Sequence, residues 1–489
     1  MYEPNVKALG ILGTSSGAGK SWIATAACAW LKGQGVRVAP FKAQNMSNNA
    51  WATLDGGEIA RAQAVQAEAC GLLPTADMNP ILLKPSGALG SQVILQGWAM
   101  GHQLAGTYYE NYDKLWQVVQ DSLDGWRAKC DVLVFEGAGS PVELNLMERD
   151  LVNLRPLRYL DARALLVGDI DRGGIYAQLA GTWALLSEAD RARVLGAVVN
   201  RFRGDIRLFP DPNRWLAPYA AGLRVLGTVP LRADLQPEEE DGLREGDEDR
   251  GSGDVVAWIR LPHVANLTDC QPWWDDEGVR IRWVKTPAEL VSAKVIVIPG
   301  TKNTMADLRW LKATGLGQAI IGAAHAGVPV VGLCGGYQIL GESLADQLGV
   351  AGDSGEECGL GLLPIKTHFE SKKIVRQVTA SCEGRRWMAY EMHMGCTLPT
   401  APCEALHTVE DAEGFREEGV RVGKVWGTYL HGWFEAPEVR RSVAVAAGIG
   451  GYQACPHTWM EQRQKTYTAM AEHLVAHVDL DPVRRHLGI

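Results

Sequence analysis

Along this chain, short runs of β-branched and other apolar residues alternate with longer stretches of helical periodicity. ALGILGT, VRVAPFK, DVLVFEGAG, ALLVGDID, VLGAVVNRF and LRVLGTVP each rise out of polar sequence and close on glycine, proline or a polar residue. A strand covered on both faces has no reason to alternate apolar with polar positions, so such runs with helices between them predict a parallel sheet flanked by helices. VVAWIRL, VRIRWVK, AKVIVIPGT, VPVVGLCGG and VWGTYLHG repeat the habit in the second half. Between the two series, LRADLQPEEEDGLREGDEDRGSGD is dominated by acids and has almost nothing to bury, which reads as an exposed linker. The expected architecture is α/β, two tandem domains, each a largely parallel sheet flanked by helices. Residues 1–230 form the first, 231–253 the acidic linker, and 254–489 the second with a C-terminal helical extension. No repeat of fixed period is present.

Composition narrows the partners. The 489 residues are 46% hydrophobic and 21% charged, enough to bury more than one core. The formal net charge of −9 leaves no general basic surface for a nucleic-acid backbone or anionic lipid, so an anionic substrate must meet a local positive site. The N-terminus lacks the charged-then-apolar pattern of an export signal and no apolar run is long enough to cross a bilayer, so the expected address is the cytoplasm. The 10 cysteines include no CxxC pair, which argues against a zinc knuckle or a disulfide scaffold. His102, His263, His368 and His393 lack metal-ligand spacing.

The first chemical signal is ALGILGTSSGAGKSWIATAACAWLK, a buried strand, a glycine-rich loop from Gly13 to Gly19, and a helix. This is the setting of a P-loop. Glycines such as Gly17 and Gly19 let backbone amides turn to phosphate oxygens, Lys20 reaches the outer phosphates, and the Ser21 hydroxyl holds magnesium. Thr14 stands where the GxxxxGKS pattern expects its first glycine, with Gly13 one residue earlier. That longer loop resembles dethiobiotin synthetase and its relatives, which phosphorylate a carboxylate. Glu136, ending DVLVFEGAG, falls at the carboxyl edge of the sheet as a magnesium ligand. Asp169 and Asp171 end another strand, either as metal ligands or as helix caps. Lys42 is placed to steady a transferring phosphoryl group. Asn200 is placed to read adenine or to form a turn.

In the second half, VPVVGLCGGYQILG runs a buried strand into Cys334 between glycines and then a helix. That is a nucleophile elbow with cysteine in place of serine, whose glycines tolerate the strained turn that lifts the sulfur out of the sheet. A thiolate nucleophile needs a base and an oxyanion hole. His431 in GTYLHGWFE is the expected base, and the Gly300 region with the Gly335 amide the expected donors. Together they describe amide hydrolysis through a thioester.

Taken in order, GTSSGAGKS, VAPFKAQNMSNNA, GGEIARAQAVQAEA, DMNPILLKPSG, FEGAGSPVELNL, VGDIDRGGIYAQLAGT and VVNRFRGD, then RLPHVANLTDCQP, LCGGYQILG, YEMHMG and GTYLHG, resemble the cobyric acid synthase family over nearly the whole chain. The resemblance implies a P-loop NTPase-like domain joined to a glutamine amidotransferase-like one. It implies ATP- and magnesium-dependent amidation, with glutamine as nitrogen donor, of the b, d, e and g carboxylates of the corrinoid adenosylcobyrinic acid a,c-diamide. The nearest alternatives are cobyrinic acid a,c-diamide synthase, from which QNMSNNA helps separate it, and other glutamine-dependent amidoligases. A partition-ATPase-like switch is a different class, but it would need neither Cys334 nor His431, and its second loop lysine is missing from GTSS. Many amidotransferases carry glutamate two residues after the histidine, where this chain has Trp433. The expectation is therefore a Cys334–His431 dyad, with Glu435 and Glu391 as weak orienting acids. His393 and Tyr390 either line the glutamine pocket or pack the core. Lys84, Ser86 and Ser91 either contact corrinoid carboxylates or are solvated, and Trp273 and Trp274 are expected to pack. The sequence leaves a homo-oligomer open.

Overall fold

The computed structural model describes residues 6–47, 49–86, 90–104, 111–235, 249–351, 354–382, 384–411 and 414–489, without the side chains of 86 and 101–104. Asn48, the side chains of Ser86 and His102, and most of the expected acidic linker, 236–248, lie outside the described residues. The chain divides into two compact units: Met1–Trp51, Gly57–Glu240 and Gln462–Ile489 make one, Ala52–Gly56 and Asp241–Glu461 the other. Among the described residues no helix is long and apolar enough to cross a membrane.

The first unit is built on six parallel strands in the order Val225–Pro230, Val194–Phe202, Arg163–Asp169, Lys7–Gly13, Val132–Glu136, Val38–Phe41. Every residue of the Lys7–Gly13 strand after Lys7 is buried, as a strand covered on both faces requires. Its neighbours on the two sides come later in the chain, so its carboxyl end lies at the switch in strand order where such sheets bind ligands. The phosphate loop leaves from that end and leads into the helix Lys20–Gly33. A further four-stranded sheet, Gln44–Met46, Ile81–Ser86, Gly90–Leu95 and Trp98–Leu104, is largely antiparallel.

The C-terminal helices differ from expectation. In the helix Trp459–His477, Arg463, Tyr467, Met470 and Leu474 are buried at helical spacing. This stripe joins the core of the first unit, beside Leu9, Ile23 and Leu226, not that of the second. Tyr467 donates a hydrogen bond to Glu68 at 2.9 Å, and the Asp479 amide donates to Leu226 O at 2.8 Å. An amphipathic helix must bury its stripe, but its sequence does not say against which sheet. Leu474 is fully buried, so Leu474→Ala is expected to cost about 2–5 kcal/mol. The unfolding transition that ATP protects should fall while glutaminase stability holds, and a shift of glutaminase stability alone would contradict this packing.

The second unit holds a seven-stranded sheet whose five central strands are parallel: Val279–Val284, Asp254–Ile259, Ala293–Ile298, Val330–Leu333 and Val425–Thr428. Beside it stands a second, mainly antiparallel sheet built on the long pair Ile365–Cys382 and Arg385–Pro399, to which Leu430–His431 adds an edge. Trp273 is buried and meets Phe434 edge-on at 5.2 Å, while Arg250 lies 4.3 Å over the Trp274 ring, so both indoles pack within the fold. Arg440, fully buried, is clamped by both oxygens of Asp276 at 2.7 and 3.0 Å, which satisfies a guanidinium that could not otherwise leave water.

Candidate functional sites

At the mouth of the phosphate loop, Glu136 gathers the residues singled out by sequence. Its Oε1 accepts hydrogen bonds from the Ser21 hydroxyl at 2.8 Å and from Lys42 Nζ at 2.9 Å. Burial by itself would raise this carboxyl, but the charge and hydrogen bond of Lys42, then the charge of Lys20, outweigh it and hold Glu136 below the ordinary carboxylate range. Its Oε2 accepts from Gln66 Nε2 at 2.6 Å, a partner that sequence reasoning missed. Lys20 is folded back, its Nζ donating to Ser15 O at 2.9 Å and Gly139 O at 3.2 Å. That path explains the displaced glycine, because a Cβ on Gly13 would stand 2.8 Å from Lys20 Cδ. Thr14 has a different use: its amide donates to Val167 O at 2.9 Å and its hydroxyl to Gln178 at 3.0 Å, anchoring the loop to a neighbouring strand and helix.

Gly17 and Gly19 carry positive φ of 72° and 86°, the left-handed geometry that glycine adopts without strain and that a phosphate-binding loop uses. Asn200 donates Nδ2 to Ala18 O at 3.2 Å, and a Cβ on Gly19 would fall 2.1 Å from that nitrogen. Asn200 thus underpins the loop. Asp169 accepts from the Asp171 amide at 2.8 Å and lies 3.4 Å from Arg201, while Asp171 pairs with Arg203 at 2.9 Å, so both acids serve a turn and arginine partners. A hydroxyl and a carboxylate that meet beside a phosphate loop are hard oxygen donors, and this donor set fits magnesium. Lys84 is neither solvated nor open: it is buried against Glu58 as an ion pair.

In the second unit Cys334 sits at φ 49° and ψ −108°, a strained conformation for a residue with a side chain, between the strand Val330–Leu333 and the helix Gly335–Ile339. Its Sγ approaches Met392 O at 3.5 Å. Gly300 lies against the same place, since a Cβ there would come 3.0 Å from His431 Cε1 and 3.6 Å from Cys334 Cβ. The expected dyad is corrected by a third group, Asp269. Its Oδ2 lies 2.7 Å from His431 Nδ1, and its Oδ1 accepts the Gly432 amide at 2.9 Å. Burial works against a charged imidazole, but the charge and hydrogen bond of Asp269, followed by Cys334, push His431 up to about 10. Trp433, two residues after the histidine, is buried and donates to His407. Glu391 is taken up by Arg376 and Arg416, both at 2.5 Å.

Tyr390 stacks on His431 with ring centroids 5.2 Å apart. His393 stacks on Tyr429 at 3.6 Å, and its Nδ1 donates to Gly395 O at 2.8 Å, while burial drives its pKa down to about 4. Beside the elbow, Asp307 accepts the Thr301 hydroxyl at 2.5 Å and meets His263 Nδ1 at 2.7 Å, bracing the loop after Gly300. His368 does meet other ligand-type side chains: its ring and the Glu370 and Cys396 side chains offer ligand atoms within 4.8 Å of one another. His368 and Cys396 are partners across two strands, a proximity that spacing along the chain hides.

Both halves match known families. Residues 9–244 match the family model of the CobQ/CobB/MinD/ParA nucleotide binding domain, and residues 255–439 that of the CobB/CobQ-like glutamine amidotransferase domain. The cobyric acid synthase of Chloroflexus aggregans is 46% identical over 442 residues, 88% of this chain and 89% of that protein. That of Roseiflexus castenholzii is 45% identical over 446 residues, 88% of this chain and 90% of that protein. That of Nocardia farcinica is 41% identical over 504 residues, 98% of this chain and 96% of that protein.

Proposed function

The chain belongs to the cobyric acid synthase family, and from that premise we propose how its residues divide the work of a glutamine-hydrolysing amidoligase in cobalamin biosynthesis. ATP and glutamine are its co-substrates and corrinoid carboxylates become carboxamides. The observation that carries the division of roles is the Cys334–His431–Asp269 alignment on the same chain as the Ser21–Glu136–Lys42 cluster.

Cys334 Sγ, its proton passed to His431, attacks the side-chain amide carbon of glutamine. Asp269 holds the His431 imidazolium, which gives its proton to the departing nitrogen, while amides of the Gly300 loop and Gly335 receive the oxyanion. Ammonia leaves, water hydrolyses the thioester, and glutamate is released. In the first unit, Gly13–Gly19 cradle the ATP phosphates, with Lys20 turning from its loop carbonyls to the outer ones. Ser21 and Glu136 would hold magnesium, which would supply positive charge against the phosphates. A corrinoid carboxylate oxygen attacks the γ-phosphorus and ADP departs, leaving an acyl phosphate that Lys42 steadies. Ammonia then adds to the acyl carbon, phosphate leaves, and one carboxamide is formed for each ATP and glutamine.

The substrate we assign is adenosylcobyrinic acid a,c-diamide, amidated at its b, d, e and g carboxylates in the cytoplasm, where ATP and glutamine are plentiful. Glu136→Gln keeps the shape of the site but removes a charge from its centre. It is expected to slow ammonia-supported, ATP-dependent amidation by about 10²–10³-fold while glutaminase activity persists. Parental metal-dependent turnover in this variant would contradict the role given to Glu136.

A further inference from the structure

The helix Arg61–Cys70 is buried along its whole length, yet it carries Gln63 and Gln66, both fully buried. Fully buried helices are ordinarily apolar, and buried amides are kept where they have partners. Gln63 Oε1 accepts from Asn45 Nδ2 at 2.8 Å, so a polar layer enters the core here. One turn later, Gln66 points at the nucleotide site. Its Nε2 donates to Glu136 Oε2 at 2.6 Å, while Ser21 and Lys42 both occupy Oε1. The two sides of the carboxylate are therefore held by different groups, and Gln66 sets the plane in which Glu136 presents itself. The other half of the amide is unspent: Gln66 Oε1 is buried with no hydrogen-bond partner.

A buried amide oxygen with nothing to accept, next to a carboxylate already committed to a hydroxyl and a lysine, is what an oxygen-seeking ligand would satisfy. A glutamine suits the place better than a second carboxylate. Two acids in contact would repel, and one would take up a proton, whereas an amide donates to Glu136 and still offers oxygen. We propose that Gln66 is a positioning residue for the metal–nucleotide complex: Nε2 fixes the Glu136 carboxylate, and Oε1 offers a neutral oxygen to a hydrated divalent cation bound with the nucleotide. This rests on the reading of Ser21 and Glu136 as the groups that hold magnesium.

The test uses the full chain with Gln66→Met, which keeps bulk and removes both amide functions, and Gln66→Leu, which removes both with a shorter side chain. ATP binding is followed by calorimetry in EDTA and across a magnesium titration, beside ammonia-supported ATP turnover. Outer-shell changes typically weaken metal affinity by about 10–100-fold, and a rise of about tenfold in the magnesium needed for half-maximal ATP binding is expected in both variants. Binding in EDTA and glutaminase activity should match the parent. Should the methionine variant fail to fold, the leucine variant carries the same expectation. Parental magnesium dependence in a folded variant overturns the proposal. Glu136→Gln in parallel separates the two ideas. If it loses magnesium dependence while the Gln66 variants do not, the inference alone falls; if it too keeps the parental dependence, the reading of Glu136 falls with it.

Discussion

Cys334→Ala should eliminate glutamine-supported amidation, by roughly 10⁶-fold for loss of a catalytic nucleophile, while leaving amidation from added ammonia at the parental rate. Cys334 already holds a strained positive φ of 49°, and alanine keeps the Cβ, so the substitution removes the sulfur without asking more of the backbone. The elbow remains braced by the Cys334 amide donating to Thr428 O at 2.8 Å. Nothing in the Ser21–Glu136–Lys42 cluster depends on that sulfur, so phosphoryl transfer should continue. Equal loss with glutamine and with ammonia would show that the variant had damaged more than the glutaminase.

The second large effect is expected at Asp269. An aspartate has two oxygens, and both are used here: one receives His431 Nδ1 and the other the Gly432 amide. Asparagine has one. If that oxygen stays with Gly432, the amide NH₂ faces Nδ1 and favours the wrong imidazole tautomer. Asp269→Asn should therefore lower kcat of the glutaminase by roughly 10⁴-fold with little change in KM, because the substrate itself is not contacted. The pH dependence of stability carries an independent sign. His431 is raised in the fold, so its contribution is fully present below its unfolded value and is lost as pH rises through about 10. The stability gap between parent and Asp269→Asn should be largest below the unfolded histidine value of about 6.5 and should shrink from there toward pH 10. A gap that widened with pH would contradict the Asp269–His431 pairing.

What the sequence makes legible follows from how local each signal is. The phosphate loop, Glu136 and the Cys334 elbow each declare themselves in a few consecutive residues, because a strand end, glycines and a reactive side chain are needed together. Asp269 does not: it reaches His431 from 162 residues away, out of a short helical segment whose periodicity says nothing of catalysis. Its signal was present in ANLTDCQP, but as a family motif and not as chemistry. Gln66 is hidden for a different reason, since a glutamine in an alanine-rich helix looks like a solvent-facing residue until the burial of the whole helix is seen. The helix Trp459–His477 was legible as a helix, but the core that takes its stripe was not. The antiparallel sheet that carries Met392 and His393 next to the elbow depends on cross-strand pairing that no local pattern reveals.

The most direct measurement is mass spectrometry of the purified protein incubated with adenosylcobyrinic acid a,c-diamide, magnesium ATP and glutamine labelled at its amide nitrogen. Four successive labelled amidations are expected, lost with Cys334→Ala, with unlabelled amidation regained when ammonia is added. An unchanged corrinoid mass in the presence of measurable glutaminase and ATPase activity would contradict the substrate assigned to the chain.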